Sequence, residues 1–190
     1  MTRELRWRVV TLQVILVLVL GFCAAFLFWG SSFINGMVHD QLAAQKIFFP
    51  PSSEIKTGGA LDPAVFSQEI RNYAGQQVDN GDKARVYAND FIGVHLNEVA
   101  GGQTYSQVSA QAQANPTNLA LANQANTLFK GETLRGLLLN AYGWSQLAFY
   151  AFWAAIGLSV AAFAVLCALV FELVTAPRAE RAAGRQPTPA

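Results

Sequence analysis

The chain has 190 residues, 53% of them hydrophobic and only 13% charged, and its formal net charge is +1. A soluble domain carries nearer a quarter of its residues charged, so the apolar excess argues against an ordinary globular protein. The near-neutral balance, with no basic patch interleaved with aromatics, gives no reason to expect nucleic acid as a partner.

Arg3, Arg6 and Arg8 precede the first apolar block. Val9–Gly30 carries no formal charge, and at about 1.5 Å per residue it extends roughly 33 Å as a helix, enough to cross a bilayer core. A secretory signal also opens with basic residues, but its apolar stretch is only about 7–15 residues long. No clear small-x-small cleavage site follows here, so the block reads as an uncleaved transmembrane helix over residues 9–34. Phe33, Ile34, Met37, Val38 and Leu42 keep the helical rhythm beyond it. The helix is expected to end near Lys46, because Pro50-Pro51 cannot join its hydrogen-bond ladder.

Ser52 to Leu61 reads as a loop. Asp62-Pro63 is a helix-start signal, and Phe66, Ile70 and Tyr73 then share one face of a helix stopping near Gln77. After the turn at Asp79-Asn80-Gly81, Asp82 can cap a helix whose buried face is Ala84, Ala88, Phe91, His95 and Val99. Gly101-Gly102 ends it. Thr104 and Gln107 match a capping box for a short helix that packs through Tyr105, Val108 and Ala112.

Asn115-Pro116 opens the last helix by the same cap-then-proline logic. Leu121, Ala125, Leu128, Glu132, Arg135 and Leu139 recur at spacings of 4 and 3, the pattern of a packing seam. No proline interrupts Thr117 to Ala176, so this helix is expected to run into a second span, although Gly131, Gly136 and Gly143 each permit a break. The second span covers 144–174, with its hydrocarbon part from Ala148 to Phe171. Tyr142, Trp144, Tyr150 and Trp153 mark its outer interface. Ala151, Ala155 and Ser159, and separately Gly157 and Ala161, allow close helix packing. Glu172 falls at the inner end. The Ala-, Pro- and Arg-rich tail, 175–190, is expected to be disordered.

The architecture read from these elements is an all-α membrane protein: two transmembrane helices flank a small helical extracytoplasmic domain, 35–143. Arginines before the first span (1–8) and after the second (Arg178, Arg181, Arg185) place both termini in the cytoplasm. The only Asn-x-Ser/Thr site in the middle segment, Asn115-Pro116-Thr117, is blocked by its proline. Cys23 and Cys167 both fall in the spans, so the middle has neither a disulfide framework nor a thiolate metal site.

Chemistry-bearing residues are sparse. His39-Asp40 and His95 lack any metal-ligand spacing. Asp79, Asp82, Asp90 and Glu98 lack the twelve-residue pattern of a calcium loop. There is no GxSxG elbow, phosphate-binding glycine loop or haem CxxCH. No catalytic, cofactor-binding or metal residue is assigned, no cofactor is implied, and the chain is not expected to be an enzyme. Tyr73, Tyr87, Phe91 and Tyr105 could line a pocket, with core packing as their default role.

The run from His39 to Ile47 followed by Phe48-Phe49-Pro50-Pro51, together with Tyr73–Val78, Ala88–Leu96 and Glu98–Gly102, resembles an uncharacterised actinobacterial group of two-span membrane proteins. The likeness covers most of the middle domain. It implies a bacterial plasma membrane and carries no activity to transfer. The leading expectation is a non-enzymatic structural or accessory subunit that assembles or stabilises a membrane complex, with other membrane subunits, copies of itself and the lipid bilayer as partners. A homo-oligomeric channel or transport component is the alternative. An extracytoplasmic binding or envelope-processing protein is a third.

Overall fold

The computed structural model describes residues 3–183, with side chains from 4 to 175. Every regular element among them is helical, and the only strand-like feature is a single antiparallel bridge between Phe48 and Gln77. In chain order they are α1 (Arg3–Ala44), a 3-10 turn (Ser52–Glu54), α2 (Gln68–Asn72), α3 (Gly81–Val86), a π-helical segment (Tyr87–Ile92), α4 (Gly93–Ala100), α5 (Tyr105–Ala114) and α6 (Leu119–Ala183). Two of these, α1 and α6, are long and apolar enough to cross a membrane, with windows of mean hydropathy 2.7 and 2.6. The described residues form two compact units: 3–31 with 149–183, and 32–148.

In the first unit the usual relation of size to burial is inverted. Ala24 and Ala155 are buried, while Phe22, Phe163 and Phe171 are about seven-tenths exposed. The more buried positions of α1 are Val10, Gln13, Val17, Leu20, Ala24, Leu27 and Ser31. Those of α6 are Ala151, Ala155, Leu158, Ala162, Val165, Leu169 and Glu172. Both sets alternate spacings of 3 and 4, the signature of a helix-pair seam. Small residues let the helices approach, and the Phe28 and Phe152 rings meet edge-on at 5.6 Å. Of the expected small-residue sets, Ala151 and Ala155 lie in this seam, whereas Gly157, Ser159 and Ala161 lie on exposed positions. The hydroxyls of Thr11, Ser159 and Thr175 donate to carbonyls four residues back, so each is satisfied within its own helix.

The second unit is built around one main core. Val38 and Leu42 from the end of α1 meet Phe49, Leu61, Phe66, Ile70, Val78, Ala84, Val86 and Ala88, and Leu138 of α6 closes the cluster. Burying each large member contributes about 1.5–3 kcal/mol. Phe49, Tyr73, Tyr87, Phe91, Phe66 and His95 form a continuous aromatic chain with centroid separations from 4.5 to 6.0 Å. A second cluster joins Leu96 and Ala100 of α4, Val108 of α5 and Leu128 of α6.

α1 stops at Ala44, close to the expected end. Lys46 takes a left-handed φ of 53°, and the Gln77 amide donates to the freed Ala43 carbonyl at 2.8 Å. The segment after it is held by backbone bonds from Phe49 to Gln76, Gly75 to Pro50 and Val78 to Ile47. Gly101, with φ 59°, ends α4, and the Thr104–Gln107 capping box opens α5. α6 runs unbroken through Gly131, Gly136 and Gly143 and continues to Ala183. Its helical backbone thus enters the stretch expected to lack structure. The remainder of that tail, 184–190, and residues 1–2 lie outside the described residues.

Three helix starts differ from the sequence expectation. Asp62 does not launch a helix at Pro63. Its carboxylate instead receives the Gly58 and Ala64 N–H groups and closes a turn, and α2 begins after Ser67, whose hydroxyl accepts from Ile70. Asn80 rather than Asp82 caps α3, accepting from Lys83 at 3.0 Å. Asn118 rather than Asn115 caps α6, accepting from Ala120 and Leu121. Ser67 and Asn80 both enter their helices in extended conformation, as an N-cap residue does.

Candidate functional site

A partly polar concavity of the 32–148 unit is built by α4, which follows the π-helical segment, together with α5 and α6. A π turn holds one residue more than an α turn. It therefore delays the buried face below it by one position. Leu96 and Ala100 turn inward where His95 and Val99 were expected, and His95 and Val99 are exposed. Two glycines let α4 and α6 approach closely and reciprocally. A Cβ at Gly131 would overlap the Leu96 side chain, and one at Gly93 would lie 3.4 Å from Arg135 Nε.

Arg135 is the centre of this region. Its Nη1 donates to Glu132 Oε2 at 3.1 Å and its Nη2 to Asn89 Oδ1 at 3.2 Å. Its Nε is enclosed and has no hydrogen-bond partner. Beside it opens a cleft of about 400 Å³ lined by Leu96, Asn97, Thr104, Tyr105, Glu132 and Arg135, among others. The guanidinium is already paired with a carboxylate, so the cleft offers amides, hydroxyls and one neutralised ion pair over a leucine floor. Such a lining can hydrogen-bond a small polar group. It places no nucleophile beside a base.

A second concavity in the same unit is apolar. The end of α1 (Met37, Val38, Leu42) and the middle of α6 (Leu134, Leu137, Trp144) line a groove of about 510 Å³. Leu137 is 66% exposed and Trp144 45% exposed.

The histidines are not brought together with acidic residues. His39 Nδ1 lies 2.9 Å from the Asp79 carbonyl and ties the end of α1 to the turn before α3. His95 Nδ1 lies 2.8 Å from the Phe91 carbonyl one turn back, and its ring packs on Phe66 and Phe91. The acidic series is dispersed into local bonds: Asp79 with Lys83, and Asp90 with Ser67. Among the described residues no three His, Cys, Asp or Glu side chains gather as a metal site. Tyr73, Tyr87 and Phe91 belong to the aromatic core, and burial pushes the Tyr87 hydroxyl above its usual value. Tyr105 is the one expected pocket residue that lines a cleft, where it packs on Phe129 at 5.7 Å. Burial acts to lower the Arg85 pKa, but the hydrogen bond and charge of Glu69, with Tyr142 and Asp90, outweigh it and raise the net value.

The sequence pattern did not reveal Arg135 as a half-buried anchor with an enclosed Nε, because spacing alone put Glu132 and Arg135 at the edge of a seam. Gly93 and Gly131 were the available signals: a glycine inside a helix needs a packing reason. No known protein family, curated protein or solved structure matches the chain.

Proposed function

We propose that the chain is an integral membrane protein of the bacterial plasma membrane and serves as a non-catalytic subunit that assembles or stabilises a membrane complex. α1 and α6 cross the bilayer, both ends lie in the cytoplasm by the arginine asymmetry, and the 32–148 unit is extracytoplasmic. One observation carries the reading: large apolar side chains face outward on both units. Phe22, Phe163 and Phe171 do so on the spans, and Phe129, Leu134 and Leu137 do so on α6 within the other unit. The first set suits lipid contact. The second lies on a unit proposed to stand in water, where contiguous apolar surface marks an interaction site.

The test is alkaline carbonate extraction of native membranes, followed by native mass measurement after gentle solubilisation. The expected result is a pelleted chain that emerges in an assembly of fixed stoichiometry. Recovery in the soluble fraction, or as a monodisperse monomer, overturns the proposal. A closed ring of identical chains that conducts ions replaces it with the channel reading.

A further inference from the structure

We propose that the apolar groove between the end of α1 and the middle of α6 holds one acyl chain of an anionic phospholipid, whose phosphate sits against Lys46 and Lys130. The groove encloses about 510 Å³, and no charged residue lines it. Val38, Leu42 and Leu138 are its buried floor, and Leu134, Leu137 and Trp144 are its exposed wall. Leu134 and Trp144 stand ten residues apart on α6, so the groove is about 15 Å long. A hydrocarbon core of about 30 Å gives the chains of each leaflet a reach of about 15 Å. Length and lining together fit a single extended hydrocarbon chain.

The lysines select the head of the ligand. α1 runs away from the first span and α6 runs towards the second, so Gln45 and Leu134 mark the end of the groove farthest along each helix from its span. Lys46 follows Gln45 there. Lys130 stands four residues before Leu134, seven before Leu137 and fourteen before Trp144, which is the spacing of one helix face. It therefore lies on the groove's own side of α6. Both lysines are exposed. Lys56, Lys83, Arg85 and Arg135 pair with carboxylates, and among the described residues Lys46 and Lys130 do not. Two unpaired cations at one end of a chain-length apolar groove are complementary to an amphiphile with an anionic head and a hydrocarbon tail. The other end, at Trp144, is four residues from the start of the hydrocarbon stretch at Ala148. An outer-leaflet lipid drawn outward by its own length reaches the groove head-out, without turning over, and here the inference rests on the membrane reading above. A second copy docked on the groove about a twofold axis would instead set each lysine against its own counterpart. Phe129 does not line the groove and stays outward for a protein neighbour.

The experiment uses the full-length chain reconstituted into phosphatidylcholine vesicles that contain a minor fraction of phosphatidylglycerol. The phosphatidylglycerol carries a photoreactive group near the head end of one acyl chain. After irradiation, labelled peptides are mapped by mass spectrometry. Labelling is expected within 41–47 and 134–138, about 15 Å or more along α6 from the hydrocarbon stretch, where a lipid that stays in the bilayer does not reach. Lys46→Gln with Lys130→Gln, both at exposed positions, is expected to lower that labelling about tenfold and to leave labelling of 148–171 unchanged. A phosphatidylcholine probe with the same photoreactive chain is expected to label the groove as weakly as the lysine variant is labelled. Labelling confined to the spans overturns the proposal, and so does groove labelling that is equal for both probes or unchanged in the variant. Vesicle flotation separates the two failures. A chain that floats with its groove unlabelled sinks the lipid site and leaves the membrane reading standing. A chain that stays at the bottom of the gradient sinks the membrane reading and the lipid site with it.

Discussion

Gly131 and Asp62 show how single residues decide local geometry. Gly131 has no side chain because Leu96 occupies that space. Gly131→Ala is expected to destabilise the chain by about 1–3 kcal/mol through overpacking, and adding Leu96→Ala is expected to relieve part of that cost. Denaturant unfolding of the purified full chain checks both, and simple additivity of the two changes would refute the contact. Asp62 works through charge. Its carboxyl is held below its usual value by hydrogen bonds from the Gly58 and Ala64 amides. A lowered folded pKa means stabilisation that is fully present above the usual carboxylate value and is lost as pH falls through the folded one. Asp62→Asn keeps the shape without the charge. Amide exchange at Gly58 and Ala64 is therefore expected to be slower in the native chain than in the variant near neutrality. The two are expected to converge in acid, and a gap that persists there would contradict the assignment.

At the scale of elements, the π-helical segment sets the register of everything after it. With Leu96 inward and Val99 outward, Leu96→Ala is expected to cost about 2–5 kcal/mol. Val99→Ala is expected to stay within about 0.5 kcal/mol. Unfolding midpoints of the two variants decide, and the opposite ranking would restore the uninterrupted α-helical face. This one-residue delay is also where sequence reading reached its limit. Apolar periodicity located α1, α4, α5 and α6, because burial of one face imposes spacing directly. Breakers placed the ends of α1 within two residues of Ala44 and of α4 at Gly101, because proline lacks an N–H for the ladder and glycine takes a left-handed φ. A π turn leaves no such trace: Ala84, Ala88, Phe91 and His95 fit an ideal helix well, whereas in the wider turn Phe91 packs on Phe66 and Asn89 accepts from Arg135. The caps were legible as a class and ambiguous by position, since Asp79, Asn80 and Asp82 all carry suitable oxygens. The polar cleft was not legible, because its lining comes from α4, α5 and α6 and from no single motif.

For the whole molecule, the sharpest physical question is which solvent surrounds the exposed aromatics of the first unit. Phe163 is 67% exposed, and the two possible surroundings predict opposite effects of one substitution. In water, Phe163→Arg removes an apolar liability from a surface and leaves the fold within about 0.5 kcal/mol. In a bilayer it sets a cation in the hydrocarbon part of the second span, at about 2.5–3.5 kcal/mol against insertion near the centre. Phe163 lies between Ala148 and Phe171, well away from either end of that stretch, so the guanidinium cannot easily reach an interface. The expected outcome is a fall in the carbonate-resistant fraction of Phe163→Arg, with a smaller fall for Phe171→Arg. That residue lies at the end of the stretch beside Glu172, where in a bilayer a long cationic side chain can extend to water. The graded pair is more telling than either variant alone. Uniform loss would indicate general misfolding, and no loss would place this helix in water. A depth-dependent loss is what a bilayer imposes, because the cost of a charge there follows its distance from the headgroups.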